Sequence, residues 1–277
     1  MGLFAGKTSL EVSAEPTALS PGDEVRVRSE LGEPDKKTRS ARVCLVYVNS
    51  YRYEDTDSDG DRTTRTRHEE IVVAQEPLSG ADGNGGPPAG TFETVLRVPD
   101  DAPPTVEDAV RWMAKVTVDR KAGRDVAEEI PLTVASAPDA LAAWAEGSCK
   151  HPSEARMDIQ VDRRVVHPGE RISGTVAVTA SEDLEGRALR VKLRGRRSDQ
   201  DGEGVTYDGA VQDLAEPAEL RAGATQSFTF ALNVPIDARA SFQTANNRLN
   251  WYVEAFVDRK LRSDPTGRLE VVVHRPA

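Results

Sequence analysis

The sequence predicts an all-β protein built from two tandem immunoglobulin-like antiparallel β-sandwich domains. At 277 residues, the chain is long enough for two domains. Alternating apolar and polar residues, interrupted by Gly, Pro, Asp and Asn, indicate about seven short strands in each half, and helical periodicity is nearly absent. The tetrapeptide VDRK closes two similar stretches, RWMAKVTVDRK (Arg111–Lys121) and NWYVEAFVDRK (Asn250–Lys260), which indicates a duplicated unit.

The two halves carry the same elements in the same order. LEVSAEPTALSPGDEV (Leu10–Val25) aligns without gaps on MDIQVDRRVVHPGERI (Met157–Ile172), and each runs from an alternating strand into a Pro-Gly turn. GTFETVLRVP (Gly90–Pro99) then matches QSFTFALNVP (Gln226–Pro235). The strands that begin with Trp follow, and EEIPLTV and GRLEVVV close the halves. This ordered duplication predicts paired domains rather than a solenoid.

The domain boundaries follow from the repeat. We expect an N-terminal sandwich over residues 1–135, a linker over residues 136–155 and a C-terminal sandwich over residues 156–277. The linker is rich in Ala, Ser and Pro. Its segment DALAAWAEG (Asp139–Gly147) can form one or two helical turns, and we expect Trp144 to pack on one of the domains.

Composition excludes several classes of protein. The net charge is −10, with most of the excess acid in the N-terminal half, which argues against nucleic acid as the main partner. No apolar run approaches the ~20 residues of a membrane span, and the N-terminus lacks the features of a signal peptide. Cys44 and Cys149 are too few for a disulfide framework, and Cys44 lies in the apolar stretch ARVCLVYV, which predicts a core position. We therefore expect a cytoplasmic protein without a transmembrane segment.

An Asp-rich segment offers a candidate metal site. YEDTDSDGDRTTRT (Tyr53–Thr66) contains four alternating aspartates, with a Gly at the sixth position, as in a loop that surrounds calcium. Thr66 occupies the twelfth position, where such a loop carries a bidentate Glu. The segment is also expected to join two strands, so a solvated acidic hairpin loop is the alternative. The candidate ligands are Asp55, Asp57, Asp59 and Asp61.

A basic strand offers a candidate partner-binding surface. RALRVKLRGRR (Arg187–Arg197) alternates cations with small or apolar residues, so the cations share one face of a strand. This face could dock an anionic protein or an anionic membrane surface. The alternative is a solvent-facing surface opposite acidic neighbours. The candidate residues are Arg190, Lys192, Arg194 and Arg196.

Catalytic motifs are lacking. The sequence shows no nucleophile elbow, no phosphate-binding loop and no dinucleotide fingerprint. The four histidines lie scattered over expected turns and strand ends, and we see no set at the ligand spacing of a zinc site. We therefore expect no enzymatic activity and, apart from calcium at the Asp-rich loop, no cofactor. The histidines are His68, His151, His167 and His274.

The repeated motifs resemble those of the arrestin-like superfamily. That family carries an L-x-P-G-[DE]-x-V motif near each domain start, which Leu19–Val25 and Val166–Ile172 resemble. Its strand ending in Val-Pro is similar to the Phe-rich Gly223–Pro235, and its aromatic-led strand ending near Asp is similar to Trp251–Asp258. The resemblance covers most of the chain. Within the superfamily, the chain looks most like the bacterial members, which include sporulation-control proteins.

The resemblance implies a function. Bacterial members are regarded as non-enzymatic scaffolds or regulators, so it implies a cytoplasmic protein that binds other proteins through two linked sandwiches, in sporulation or stress control. The strand Ile130–Ser136 lacks the Arg of the animal arrestins' polar switch, so receptor-type switching does not carry over. A calcium-responsive binding protein that uses Asp55–Asp61 is the alternative function.

Overall fold

The computed structural model describes residues 9–33, 37–56, 59–78, 88–121, 124–137, 154–200 and 204–276. These residues contain many strands and no helix, and their antiparallel sheets confirm the predicted all-β sandwich class. The described part of the chain thus offers no helix that is long and apolar enough to cross a membrane. The predicted helical turn Asp139–Gly147, with Trp144, lies outside the described residues.

The chain divides into two compact units. Unit 1 comprises Met1–Tyr51, Arg65–Ser136 and Pro276–Ala277, and unit 2 comprises Arg52–Thr64 and Ala137–Arg275. The boundaries expected from the repeat, residues 1–135, 136–155 and 156–277, stay a prediction.

The first half of the chain forms two sheets. The strands are β1 (Leu10–Glu15), β2 (Ala18–Leu19), β3 (Glu24–Leu31), β4 (Thr38–Thr56), β5 (Arg62–Leu78), β6 (Gly90–Arg97), β7 (Val110–Arg120) and β8 (Val126–Val134). One sheet has the order β1-β3-β6 and the other β2-β8-β7-β4-β5. The β2–β8 pair is parallel, and the other pairs whose register is known are antiparallel. Contacts between β1 and β8 bring the two sheets together.

The second half repeats this plan. The strands are β9 (Ala155–Val161), β10 (Val165–Val166), β11 (Arg171–Ala180), β12 (Leu184–Gly186), β13 (Ala188–Asp199), β14 (Val205–Ala215), β15 (Ala218–Leu220), β16 (Thr225–Asn233), β17 (Phe242–Gln243), β18 (Asn247–Asp258) and β19 (Thr266–Val273). The sheets have the orders β16-β11-β9 and β10-β19-β18-β13-β14, with β17 beside β18 and a small β12-β15 pair. Here β10 and β19 pair in parallel, as β2 and β8 do.

The strands β4 and β5 correct the expectation of uniformly short strands. They contain 19 and 17 residues. β4 is buried along most of its length, whereas β5 is mostly exposed, and both contain the Thr and Val residues that favour strands. The Asp-rich segment joins these two strands, as expected. Cys44 on β4 is only 4% exposed, which confirms its predicted core position.

The Pro-Gly turns are equivalent in the two units. Gly22 has φ = 88° and Gly169 has φ = 83°, a left-handed conformation that favours glycine. Each glycine N–H donates to the carbonyl of the Val that precedes the Pro of the matching strand, Val98 or Val234, at 3.0 Å. The alignment made from sequence therefore corresponds to one hydrogen-bonding pattern used twice.

The repeated Trp and VDRK elements also serve the same local roles. The indole N–H of Trp112 donates to the Pro103 carbonyl at 2.8 Å, and that of Trp251 donates to the Arg239 carbonyl at 3.0 Å. Both indoles are at most 1% exposed. Within VDRK, the Arg backbone N–H binds the carboxylate of the Asp five residues later in each copy. VDRK recurs because it ends a core strand and begins a turn closed by this contact.

Candidate functional site

The candidate basic strand is β13, and it lies between β14 and β18 within its sheet. Arg190 is opposite Asp213 on β14, and its Nε atom lies 2.7 Å from the Oδ1 atom of that residue. Its Nη1 atom lies 2.9 Å from Oδ2 of Asp258 on β18. Hydrogen bonding to Asp213 raises the pKa of Arg190 above its ordinary value. The first cation of the candidate surface is therefore held between two carboxylates of its own sheet.

A buried carboxylate organises the middle of the same face. The Glu254 side chain is only 2% exposed, yet its oxygens approach three cations. The cationic nitrogens are Lys192 Nζ at 3.4 Å, Arg194 Nη1 at 3.5 Å and Arg268 Nε at 2.7 Å. The shortest contact, between Arg268 Nε and Glu254 Oε1, lacks the alignment of a hydrogen bond, so it is an ion pair. The ammonium group of Lys192 also lies 4.7 Å from the ring centre of Phe256.

These contacts favour the second interpretation of the basic strand, a face whose charges are compensated by acidic neighbours. Arg194 has a further partner in Asp208, at 3.4 Å. Arg196 is the exposed member of the four. Docking of an anionic partner on β13 stays a prediction, and such a partner would compete with carboxylates already in place.

Unit 1 has the same ion-pair position with its signs reversed. Lys115 is opposite Glu129 in the β7–β8 ladder, as Glu254 is opposite Arg268 in the β18–β19 ladder. Lys115 Nζ lies 3.4 Å from Glu129 and 2.6 Å from Glu70. Its hydrogen bond with Glu70 raises the pKa of Lys115. The duplicated sheets therefore share a place for a charge pair but not its polarity.

The Asp-rich loop is described only in part, because Asp57 lies outside the described residues. Asp55 is near the end of β4, and Asp59 and Asp61 lie between β4 and β5. Among the residues that the structure describes, no group of three or more His, Cys, Asp and Glu side chains is arranged to hold a metal ion. Calcium binding at this loop stays a prediction.

The strand β5 is a long edge strand. In the described sheet it has one neighbour, β4, and every residue from Arg62 to Glu70 is exposed. Val72 further along is 49% exposed. Such a strand presents backbone N–H and C=O groups that can pair with another chain. Basic residues come first along β5 and acidic residues later; they are Arg62, Arg65 and Arg67, then Glu69, Glu70 and Glu76.

The sequence predicts scattered histidines, but two of them lie together in unit 2. His167 is in the Pro-Gly turn after β10, and His274 directly follows β19. Their Nδ1 atoms are 3.3 Å apart, and their ring centres are 4.9 Å apart with the planes at 79°. The sequence alone did not show this meeting, because it depends on the parallel register of β10 with β19.

Comparison with models of protein families gives a match to the second half of the chain. The family model described as SpoOM protein (Spo0M) matches residues 153–276. No curated protein matches the chain. The matched segment contains all the strands of the second sandwich, β9 to β19, but spans less than half of the 277 residues. The chain is thus similar to the SpoOM family over this part.

Proposed function

We propose that the protein is a non-enzymatic, cytoplasmic regulatory scaffold of the arrestin-like, sporulation-control kind, which binds other proteins by strand addition at β5. The match of residues 153–276 to the SpoOM family supports the regulatory role. The duplicated sandwiches, with one Pro-Gly turn and one buried Trp in each, support the arrestin-like architecture. The observation that carries the binding mode is the exposed edge strand.

Strand addition suits β5 for a physical reason. An added strand gains main-chain hydrogen bonds along the edge, and side chains on alternate positions provide specificity. From Arg62 to Glu70 both faces of β5 are exposed, so a partner strand meets no obstruction from the described core. The order of charges selects the partner. An antiparallel partner strand places its C-terminal half beside the basic N-terminal half of β5. Its acidic residues therefore lie beside these arginines only if its own sequence, like that of β5, runs from basic to acidic residues.

The proposal is tested by site-specific photo-crosslinking in the native cell. A photoreactive amino acid replaces Val72 on β5 or, as a control, Leu261, which is 95% exposed in a turn of unit 2. We expect the Val72 position to capture a distinct partner protein that the Leu261 position does not capture. Crosslinks of equal pattern from both positions, or crosslinks from Val72 to a second copy alone, would contradict the proposal.

A further inference from the structure

The pair His167 and His274 is not required by the fold. Unit 1 has the same turn with Ser20 in place of His167 and Ala135 in place of His274. The backbone contacts are the same in both units. Ser20 N–H donates to Asp23 at 2.7 Å, as His167 N–H donates to Glu170 at 2.9 Å. Ala135 N–H donates to the Leu19 carbonyl at 2.8 Å, as His274 N–H donates to that of Val166. The imidazole groups are therefore not needed for the backbone hydrogen bonds of this turn.

The position of the two rings is fixed by the sheet. The parallel pairing of β10 with β19 aligns Val166 with Val273, so the next residue of each strand lies at the same end. Both rings are half-buried. Their Nδ1 atoms come within 3.3 Å although the residues are separated by 107 positions. The side chains therefore converge from two rigid elements.

The separation of the two nitrogens suits a shared metal ion. Zinc binds histidine nitrogen at about 2.0–2.1 Å with tetrahedral angles, which places two such nitrogens about 3.3–3.4 Å apart. When one ring carries its proton on Nδ1, this contact is a hydrogen bond between the two rings. When both rings carry their proton on Nε2, two Nδ1 lone pairs meet instead, and a cation can bind both of them. Imidazole nitrogen selects zinc, copper, nickel or cobalt over magnesium and calcium.

We propose that His167 and His274 form a two-histidine site for a transition-metal dication of the zinc class. Among the described residues no Cys, Asp, Glu or further His joins them as a third ligand, so water or a group from a bound partner completes the coordination. Glu170 lies in the same turn and adds negative charge, although Arg163, at 3.4 Å, partly compensates it. A site with two protein ligands and open positions holds metal reversibly.

The test uses the untagged 277-residue chain with zinc and cobalt as probes. Zinc binding is measured by calorimetry, and cobalt binding by its visible absorption. The variants are His167→Ser and His274→Ala, which carry the residues that unit 1 has at these positions. His68→Ala is the matched control, because His68 is a histidine of unit 1 whose Nδ1 atom contacts Ser50.

We expect one equivalent of metal in the unaltered protein and in His68→Ala, with affinity reduced at least tenfold in each of the other two variants. Melting in the absence of metal checks that the variants fold, and either folded variant alone decides the outcome. No saturable binding, or binding that is unchanged in His167→Ser or His274→Ala, overturns the proposal. A loss of equal size in His68→Ala also overturns it.

Discussion

Replacing Glu254 by Gln should destabilise unit 2 more than any change to its exposed charges. The substitution keeps the size of the side chain but removes a charge that is 2% exposed and faces three cations. Removal of one partner from a fully buried pair costs about 3–5 kcal/mol. The cations here are 17–30% exposed, so water partly solvates them once the carboxylate has gone. We expect a loss of about 2–3 kcal/mol.

The assay is denaturant unfolding of the full chain, followed by Trp fluorescence and circular dichroism. A loss of this size lowers the melting temperature by about 5–10 °C for a domain of this length. The matched control is Asp208→Asn, because Asp208 contacts Arg194 at 3.4 Å but is 74% exposed. Exposed pairs contribute about 0–1 kcal/mol, so the control should change stability little.

The dependence of the stability loss on salt concentration further distinguishes Glu254→Gln from Asp208→Asn. Exposed pairs are screened by salt, whereas buried pairs are screened much less. The effect of Glu254→Gln should therefore persist at high salt, and any effect of Asp208→Asn should vanish. A loss below about 1 kcal/mol for Glu254→Gln, or an equal loss in both variants, would refute the view that this carboxylate organises the face.

Three further predictions concern other elements. Trp112→Phe and Trp251→Phe should each cost about 1–3 kcal/mol in denaturant unfolding, because each removes the indole donor to a loop carbonyl; a change in one unit alone would contradict their equivalence. Burial raises the pKa of the Cys44 thiol. In a Cys149→Ser variant, where Cys44 is the remaining cysteine, the native protein should therefore react with a thiol reagent only as it unfolds. Rapid labelling of the native protein would disprove this. The loop Asp55–Asp61 should bind calcium no more tightly than about 10 μM in calorimetry, because its twelfth position lacks a carboxylate; tighter binding would contradict that reasoning.

The repeated fold was predictable because its signals are local. A Pro-Gly turn needs a glycine with positive φ, and Gly22 and Gly169 mark that place in each half of the sequence. Alternation identifies a strand and its two faces, which is why the core position of Cys44 was predicted correctly. The length of β5 was not predicted, because its solvent-exposed residues from Arg62 to Glu70 carry no apolar alternation that distinguishes them from a loop.

The partners of the basic strand could not be predicted for a different reason. Alternation showed that Lys192 and Arg194 share a face, but not which residue of another strand lies opposite. Glu254 is about 60 positions away in sequence, and a register shift of one residue would move it to the other face. The meeting of His167 with His274 depends on register in the same way.

The duplicated units separate what the fold needs from what each unit adds. Identical residues that make the same contacts in both units, such as Trp112 and Trp251, serve a structural role that the two sandwiches share. The pair Lys115–Glu129 has the same position as Glu254–Arg268 with opposite signs, so the sheet requires compensation of charge there but not a particular polarity. The acid and the base can be exchanged within the pair only if the neighbours change too. Glu70 beside Lys115, and Lys192 with Arg194 beside Glu254, are those neighbours, and they make each face specific to its unit.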